Sequence, residues 1–113
     1  MTKRELSQLR FLRREIIADE QRRKRLCMMS DVSNKDIGRI DRAIQAKRRK
    51  CSKEYCKLLR YIAQIEDSYT RQIFAWRYID GLSWQRIAMA MGAVGDGSTE
   101  RKIHDRYLVE AGR

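Results

Sequence analysis

The chain contains no proline, and only one of its six glycines, Gly38, precedes position 81. Glycine and proline are the residues that most often interrupt helices and mark turns. We therefore expect long, uninterrupted elements before Gly81 and a cluster of turns after it.

Long apolar runs are also absent. Nothing approaches the roughly 18 consecutive apolar residues of a membrane span, so no membrane partner is expected. The N-terminal stretch MTKRELSQLRFLRREII is charged throughout, and we expect no signal peptide. Three cysteines without a paired spacing indicate free thiols in a reducing compartment. The expected location is the cytoplasm.

Groups that carry catalysis or hold metals are few. His104 is the only histidine, and no carboxylate or cysteine stands at a helpful spacing from it, so a structural role is favoured. Cys51 and Cys56 are roughly 140° apart on a helix, which is poor metal-ligand geometry. The sequence has no phosphate-binding loop, nucleophile arrangement or carboxylate pair. We expect neither an enzyme nor a cofactor.

Positive charge is abundant. Twenty-six Lys and Arg residues against fifteen Asp and Glu give a net charge of +11, which favours a polyanionic partner, most often nucleic acid. Most of the excess lies before position 68. The runs RRKR at 22–25 and KRRK at 47–50 either contact phosphates or form a solvated face, the commoner role of such runs.

The spacing of apolar residues by threes and fours predicts an all-α fold. One helix is predicted over residues 3–29, and a second of about 30 residues, on the order of 45 Å long, begins after a Ser33 cap. The short turn between them predicts a long antiparallel helical hairpin over 1–67. The second helix carries an extra apolar stripe of Cys56, Leu59 and Ala63. One neighbouring helix cannot cover both stripes, so we expect the C-terminal segment, a second copy, or both to pack there, most simply in a homodimer.

Three short helices are predicted in residues 68–113. The first runs over about Tyr69–Ile79, the second is capped by Ser83, and the last is capped by Ser98 or Thr99. Gly81 is suited to the left-handed position just past the first of them. Trp84 is expected to wedge between the second and the long helices. From spacing alone, a helix-turn-helix with a supporting helix and a plain three-helix cluster are equal alternatives.

The stretch FAWRYIDGLSWQRIAMAMG, residues 74–92, resembles region 4 of bacterial sigma factors. It is more similar still to small phage and prophage regulators with a region-4-like helix-turn-helix, such as RinA-type activators. In those proteins the pattern continues into a Gly-rich turn and a helix ending in Arg-aromatic-Leu, as GDGSTERKIHDRYL does here. The resemblance covers about residues 68–109.

This resemblance implies sequence-specific binding of double-stranded DNA in a bacterial host cell. It places Ser98, Thr99, Arg101, Lys102, Asp105 and Arg106 toward the major groove, and Gln85 and Arg86 on phosphates. The turn over 92–97 is longer than the usual three or four residues, which implies an unusual angle of the last helix or its mobility before DNA binds. Two alternatives stay open: a factor that docks on RNA polymerase, and a small terminase-like DNA-packaging protein.

Overall fold

A computed structural model describes residues 1–112, and every regular element in that range is helical. The α-helices are α1 (Lys3–Leu6), α2 (Gln8–Cys27), α3 (Asn34–Ala63), α4 (Ser68–Phe74), α5 (Trp84–Ala90) and α6 (Ser98–Ala111), and α4 continues into a π-helical turn, Ala75–Ile79. The predicted all-α fold is confirmed. Among the described helices, none is both long and apolar enough to cross a membrane.

Side-chain caps begin four of these helices, and in α1 the Thr2 hydroxyl accepts a hydrogen bond from the backbone N–H of Glu5. The Ser33 hydroxyl accepts a hydrogen bond from the backbone N–H of Asp36, the Asp67 carboxylate one from Thr70, and the Ser83 hydroxyl one from Arg86. Each cap satisfies one of the amide groups that a helix start leaves without a partner. The predicted caps at Ser33 and Ser83 are confirmed.

The predicted N-terminal helix is interrupted near its start and ends earlier than expected. The single helix expected over residues 3–29 is divided at Ser7 and ends at Cys27. The Ser7 hydroxyl donates to the carbonyl of Lys3 at 2.8 Å, a local side-chain bond that competes with regular helix geometry. The break sets α1 apart from α2 while Leu6 and Leu9 both stay fully buried.

α2 and α3 form the predicted antiparallel hairpin, and ion pairs line its seam. Asp19 contacts Lys47, Glu20 contacts Arg48 at 2.7 Å, and Arg23 contacts Asp41. Positions later in α2 therefore pair with positions earlier in α3, which defines the antiparallel arrangement.

The main hydrophobic core lies at the open end of the hairpin. Leu6, Leu9, Leu58 and Ile62 from α1–α3 and Ile65, just after α3, form one cluster with Phe74 and Tyr78 from the following segment. The two predicted segments, 1–67 and 68–113, thus share a core. This arrangement positions α6 beside α1.

Candidate nucleic-acid interface

Trp84, the first residue of α5, is held between charged and aromatic neighbours. The Arg77 guanidinium lies over its indole ring at 4.6 Å from the centroid, and His104 meets the ring edge-on at 5.0 Å. Arg77 also donates to the carbonyl of Leu82 at 3.0 Å. Trp84 therefore joins the π-helical turn to α6, and the predicted wedge against the long helices is replaced by these contacts, because the π-helical turn lies next to it.

The connection between α5 and α6 is built by glycines. Gly92 has φ +74°, and the bonds from Gly92 N to Met89 O and from Ala93 N to Ala88 O close the end of α5 as a Schellman motif. Gly97 has φ +90° and is buried, and a Cβ at that position would overlap the carbonyl group of Trp84. The long turn is therefore attached at both ends, and its last residue packs directly on the start of α5.

The start of α6 differs from the prediction in one respect. The cap is not Ser98 or Thr99: Gly97 holds the N-cap position without a side chain, and the Asp96 carboxylate accepts the Ser98 amide at 3.0 Å. The Ser98 hydroxyl also bonds to Asp96. These bonds lower the pKa of Asp96, Ser98 being the main cause. Asp96, two residues before Ser98, takes the capping role in its place. The flexible backbone of Gly97 allows the Asp96 carboxylate to reach the Ser98 amide.

The inner face of α6 packs on the core through His104, which is 1% exposed. Its Nε2 lies 2.6 Å from the Tyr78 hydroxyl, and its Nδ1 lies 2.9 Å from an Asp105 carboxylate oxygen. The expectation of a packed structural histidine fits this site. The expectation that no carboxylate stands near it is wrong, because Asp105, the next residue, reaches around to Nδ1.

Burial governs the ionisation of this cluster. It lowers the pKa of His104 despite the opposing effect of Asp105, and it raises the pKa of Tyr78 to about 12. Lys3 bonds to Asp105 at 2.9 Å and, with His104, holds the pKa of that carboxyl below its usual range. The neutral imidazole with Nδ1–H directed at Asp105 fits both contacts. α1 is thereby tied to α6 through Lys3.

The outer face of α6 carries most of the predicted site residues. Ser98, Thr99, Arg101, Lys102 and Arg106 are all exposed, and Asp105 lies on the same face with its side chain 42% exposed. Asp105 is already bound to Lys3 and His104, so its carboxylate is not free in the way that the resemblance implies.

Acidic groups are withdrawn from this face. Glu100 is 3% exposed, and one of its carboxylate oxygens accepts a hydrogen bond from the Tyr69 hydroxyl at 3.4 Å. With Glu100 buried and Asp105 paired, the first three turns of α6 present hydroxyl and basic groups outward. The sequence does not distinguish these carboxylates from exposed ones, since their burial depends on α1 and α4.

Basic groups from other elements lie near α6. Lys3, Arg77 and Arg101 line a small cavity of about 150 Å³ between α1, the π-helical turn and α6. Burial is the main cause that lowers the pKa of Arg77, and Arg10 and Arg101 add to the effect. Sequence reasoning did not select Arg10 or Arg77, because only the packing of α2 and the π-helical turn brings them to this end of the molecule.

Gln85 and Arg86 lie in the first turn of α5, and both side chains are exposed. Neither side chain has a hydrogen bond or an ion pair within residues 1–112. Both therefore lie exposed on the short helix that precedes the long turn.

The two basic runs of the hairpin are divided by the fold. Arg22, Arg23, Lys47 and Arg48 pair with acidic residues in the seam. Lys24, Arg25, Arg49 and Lys50 form no ion pair with any residue that the structure describes. Searches of protein-family models, curated proteins and solved structures each found no match to this chain.

Proposed function

We propose that this chain is a sequence-specific, double-stranded-DNA-binding transcriptional regulator of phage or prophage type, in which α5 and α6 act as a helix-turn-helix. The observation that supports it best is the exposed face of α6. That face presents Ser98, Thr99, Arg101, Lys102 and Arg106, while Glu100 is buried and Asp105 is paired. Hydroxyl and basic side chains on one face are the groups that read base edges and neutralise phosphates.

The dimensions of α6 suit this role. A helix with its side chains is about 10–12 Å wide, and the major groove of B-DNA is about 12 Å wide. On the inner side of α6, the buried His104 packs against Phe74 and Trp84 and fixes the helix on the core. In this proposal Lys102 and Arg106, one turn apart, enter the groove, and Gln85 and Arg86 contact the flanking phosphates. Asp105 orients α6 through Lys3.

A homodimer is part of the proposal. The C-terminal segment covers Leu58, Ile62 and Ile65, but the predicted second stripe stays open: Leu59 is 45% exposed, and Cys56 and Ala63 are exposed as well. A second copy seated on this stripe would place two α6 helices for two half-sites. Sedimentation equilibrium at micromolar concentration should show at least a dimer, and a strictly monomeric species would remove this element of the proposal.

Selection from random duplex DNA tests the function directly. The protein should enrich one sequence and bind it at least about 1,000-fold more tightly than random duplex at physiological salt. Lys102→Ala or Arg106→Ala should weaken binding to the selected duplex by about 1 to 3 kcal/mol if that residue reads a base. Lys24→Ala is the matched control, since it removes the same charge from the distant part of α2 and should leave the preference unchanged.

The alternatives give different results in the same experiments. If no sequence is enriched and purified RNA polymerase binds the protein tightly, the chain is a polymerase-docking factor instead. If a sequence is enriched but transcription from it is unaffected, a packaging role takes the place of regulation.

A further inference from the structure

The outer face of α3 carries a row of basic side chains that is interrupted only at Ala46. Besides Lys47 and Arg48, which face the seam, every Lys and Arg of this helix belongs to it: Lys35, Arg39, Arg42, Arg49, Lys50, Lys53, Lys57 and Arg60. At 3.6 residues per turn they fall within an arc of about 100° directed away from α2, and they extend over about 38 Å. We call these eight residues the α3 basic stripe.

The α3 basic stripe contains no acidic residue. The three acidic residues of α3 are Asp36, Asp41 and Glu54, and all lie outside that arc. Within residues 1–112, the only ion pair of the stripe is the 4.0 Å contact between Arg39 and Asp36. All eight residues are exposed. Within the described residues, the positive charge of this face is therefore matched by a single ion pair.

This arrangement carries a cost in stability. Arg49, Lys53 and Lys57 follow one another at intervals of four, and like charges at that spacing destabilise a helix by about 0.2 to 0.5 kcal/mol per pair. A face that served only solvation would gain by alternating glutamate with lysine at the same intervals. On the seam side of α3, by contrast, Lys47 is paired with an acidic residue of the other helix, Glu15, at 3.5 Å.

We propose that the α3 basic stripe is a second nucleic-acid-binding surface that holds the phosphate backbone of duplex DNA without reading its sequence. Its length of about 38 Å compares with the 34 to 36 Å of one turn of B-DNA. A membrane surface fits less well, because the arc holds no large apolar side chain to enter the lipid and the opposite side of α3 is packed on α2. The identification of duplex DNA as the partner rests on the proposed function. The inference that this face binds a polyanion rests on the α3 basic stripe alone.

The test compares two triple variants with equal net charge. One is Arg49→Gln, Lys53→Gln, Lys57→Gln on the stripe, and the control is Arg14→Gln, Lys24→Gln, Arg25→Gln on α2. None of these six side chains has an ion pair or a hydrogen bond within the described residues, and glutamine is a good helix former. Circular dichroism should show unchanged helicity for both. The stripe variant should unfold at the same temperature or higher, since like-charge repulsion is removed.

Binding to a random-sequence 30-base-pair duplex is measured between 50 and 200 mM salt. Loss of three phosphate contacts should make the slope of log affinity against log salt shallower by about 2.7, at 0.9 per phosphate. The α2 control should change it by less than about 1. Equal changes in the two variants, or none in the stripe variant, would overturn the proposal.

Two further measurements distinguish phosphate contact from base reading, and duplex DNA from a membrane surface. If the stripe adds only phosphate contacts, its variant keeps the ratio of selected to random affinity, which Lys102→Ala or Arg106→Ala reduces. If selection enriches no sequence, the random-duplex measurement still tests whether the α3 basic stripe contacts phosphates. The two proposals therefore fail independently. Binding to phosphatidylserine vesicles that depends on the stripe, with duplex binding unchanged, would show a membrane surface instead.

Discussion

The two ends of the helical hairpin are held together by different forces. At the open end, Leu6, Leu9, Leu58 and Ile65 are almost fully buried against the C-terminal segment. Toward the tip, Ile44 is the one buried apolar residue between positions 10 and 57, and the contacts across the seam are ion pairs. Burial of apolar area is the dominant stabilising term in folding, whereas exposed ion pairs contribute about 0 to 1 kcal/mol each.

The two ends of the hairpin therefore differ in role: the open end stabilises the fold, and the tip exposes positive charge. The open end builds the core on which α6 rests, and the tip extends the hairpin as a weakly packed basic rod. Asp19 is the exception in the tip, since it is 8% exposed and bonds to both Lys47 and Arg22. The bond from Lys47 is the main cause that lowers the pKa of Asp19, and Asp19 in turn raises the pKa of Lys47. Four predictions test the comparison.

The largest effect is expected from shortening core side chains at the two ends. Leu58→Ala should lower the free energy of unfolding by about 3 to 5 kcal/mol, because Leu58 is fully buried among the helices of the open end. Ile44→Ala should cost about 2 kcal/mol, because Ile44 lines an open pocket at the tip that water reaches. Urea denaturation measures both. Equal losses of unfolding free energy would mean that the tip of the hairpin is packed as tightly as its open end.

Gly97→Ala should destabilise the open end by about 1 to 3 kcal/mol, since alanine is strained at φ +90° and its Cβ overlaps the Trp84 carbonyl. Gly92→Ala is the control: it also has a positive φ, but a Cβ there meets nothing within 4 Å. The difference in unfolding free energy between the two variants isolates the overlap. If thermal unfolding ranks Gly92→Ala as the more damaging change, the contact between the turn and α5 is not as described.

Neutralising single lysines of α3 should distinguish its seam from its outer face. Lys47→Gln should cost about 1 kcal/mol, because Asp19 loses its main partner, and the value is modest because the Lys47 side chain is 25% exposed. Lys50→Gln, three residues later on the outer face, should be neutral or slightly stabilising. Denaturant titration at low salt measures both. Indistinguishable variants would contradict the division of the basic run 47–50.

The smallest effect is expected from mild acid, at the open end alone. His104 has a lowered pKa in the fold, so below its ordinary value of about 6.5 the unfolded chain binds more protons than the folded chain. The free energy of unfolding should therefore fall as the pH drops from 7.5 to 5. Asp67, Asp96 and Asp105 have lowered pKa values and titrate below this window. His104→Gln should remove the slope, and an unchanged slope would assign it to other groups.

The all-α fold and several of the helix ends follow from the sequence by itself. Caps at Ser33 and Ser83 and positive-φ glycines at 81 and 92 act over three or four residues, so local chemistry is enough to place them. The apolar period identified α3 over nearly its full length for the same reason. The π-helical turn Ala75–Ile79 was not predicted, because it is a widening of the helix that local preferences do not mark.

Only the tertiary structure decided which charged groups are available to a partner. Lys47 and Lys50 belong to one basic run, yet the first is bound to Asp19 and the second forms no ion pair within residues 1–112, because α2 covers one face of α3 and not the other. Likewise Glu100 is buried under α4 and Asp105 is held by Lys3, so α6 turns a basic face outward. Whether a charged group is available depends on contacts between residues far apart in the chain, and periodicity within a single helix gives the face of a residue but not the partner that it meets.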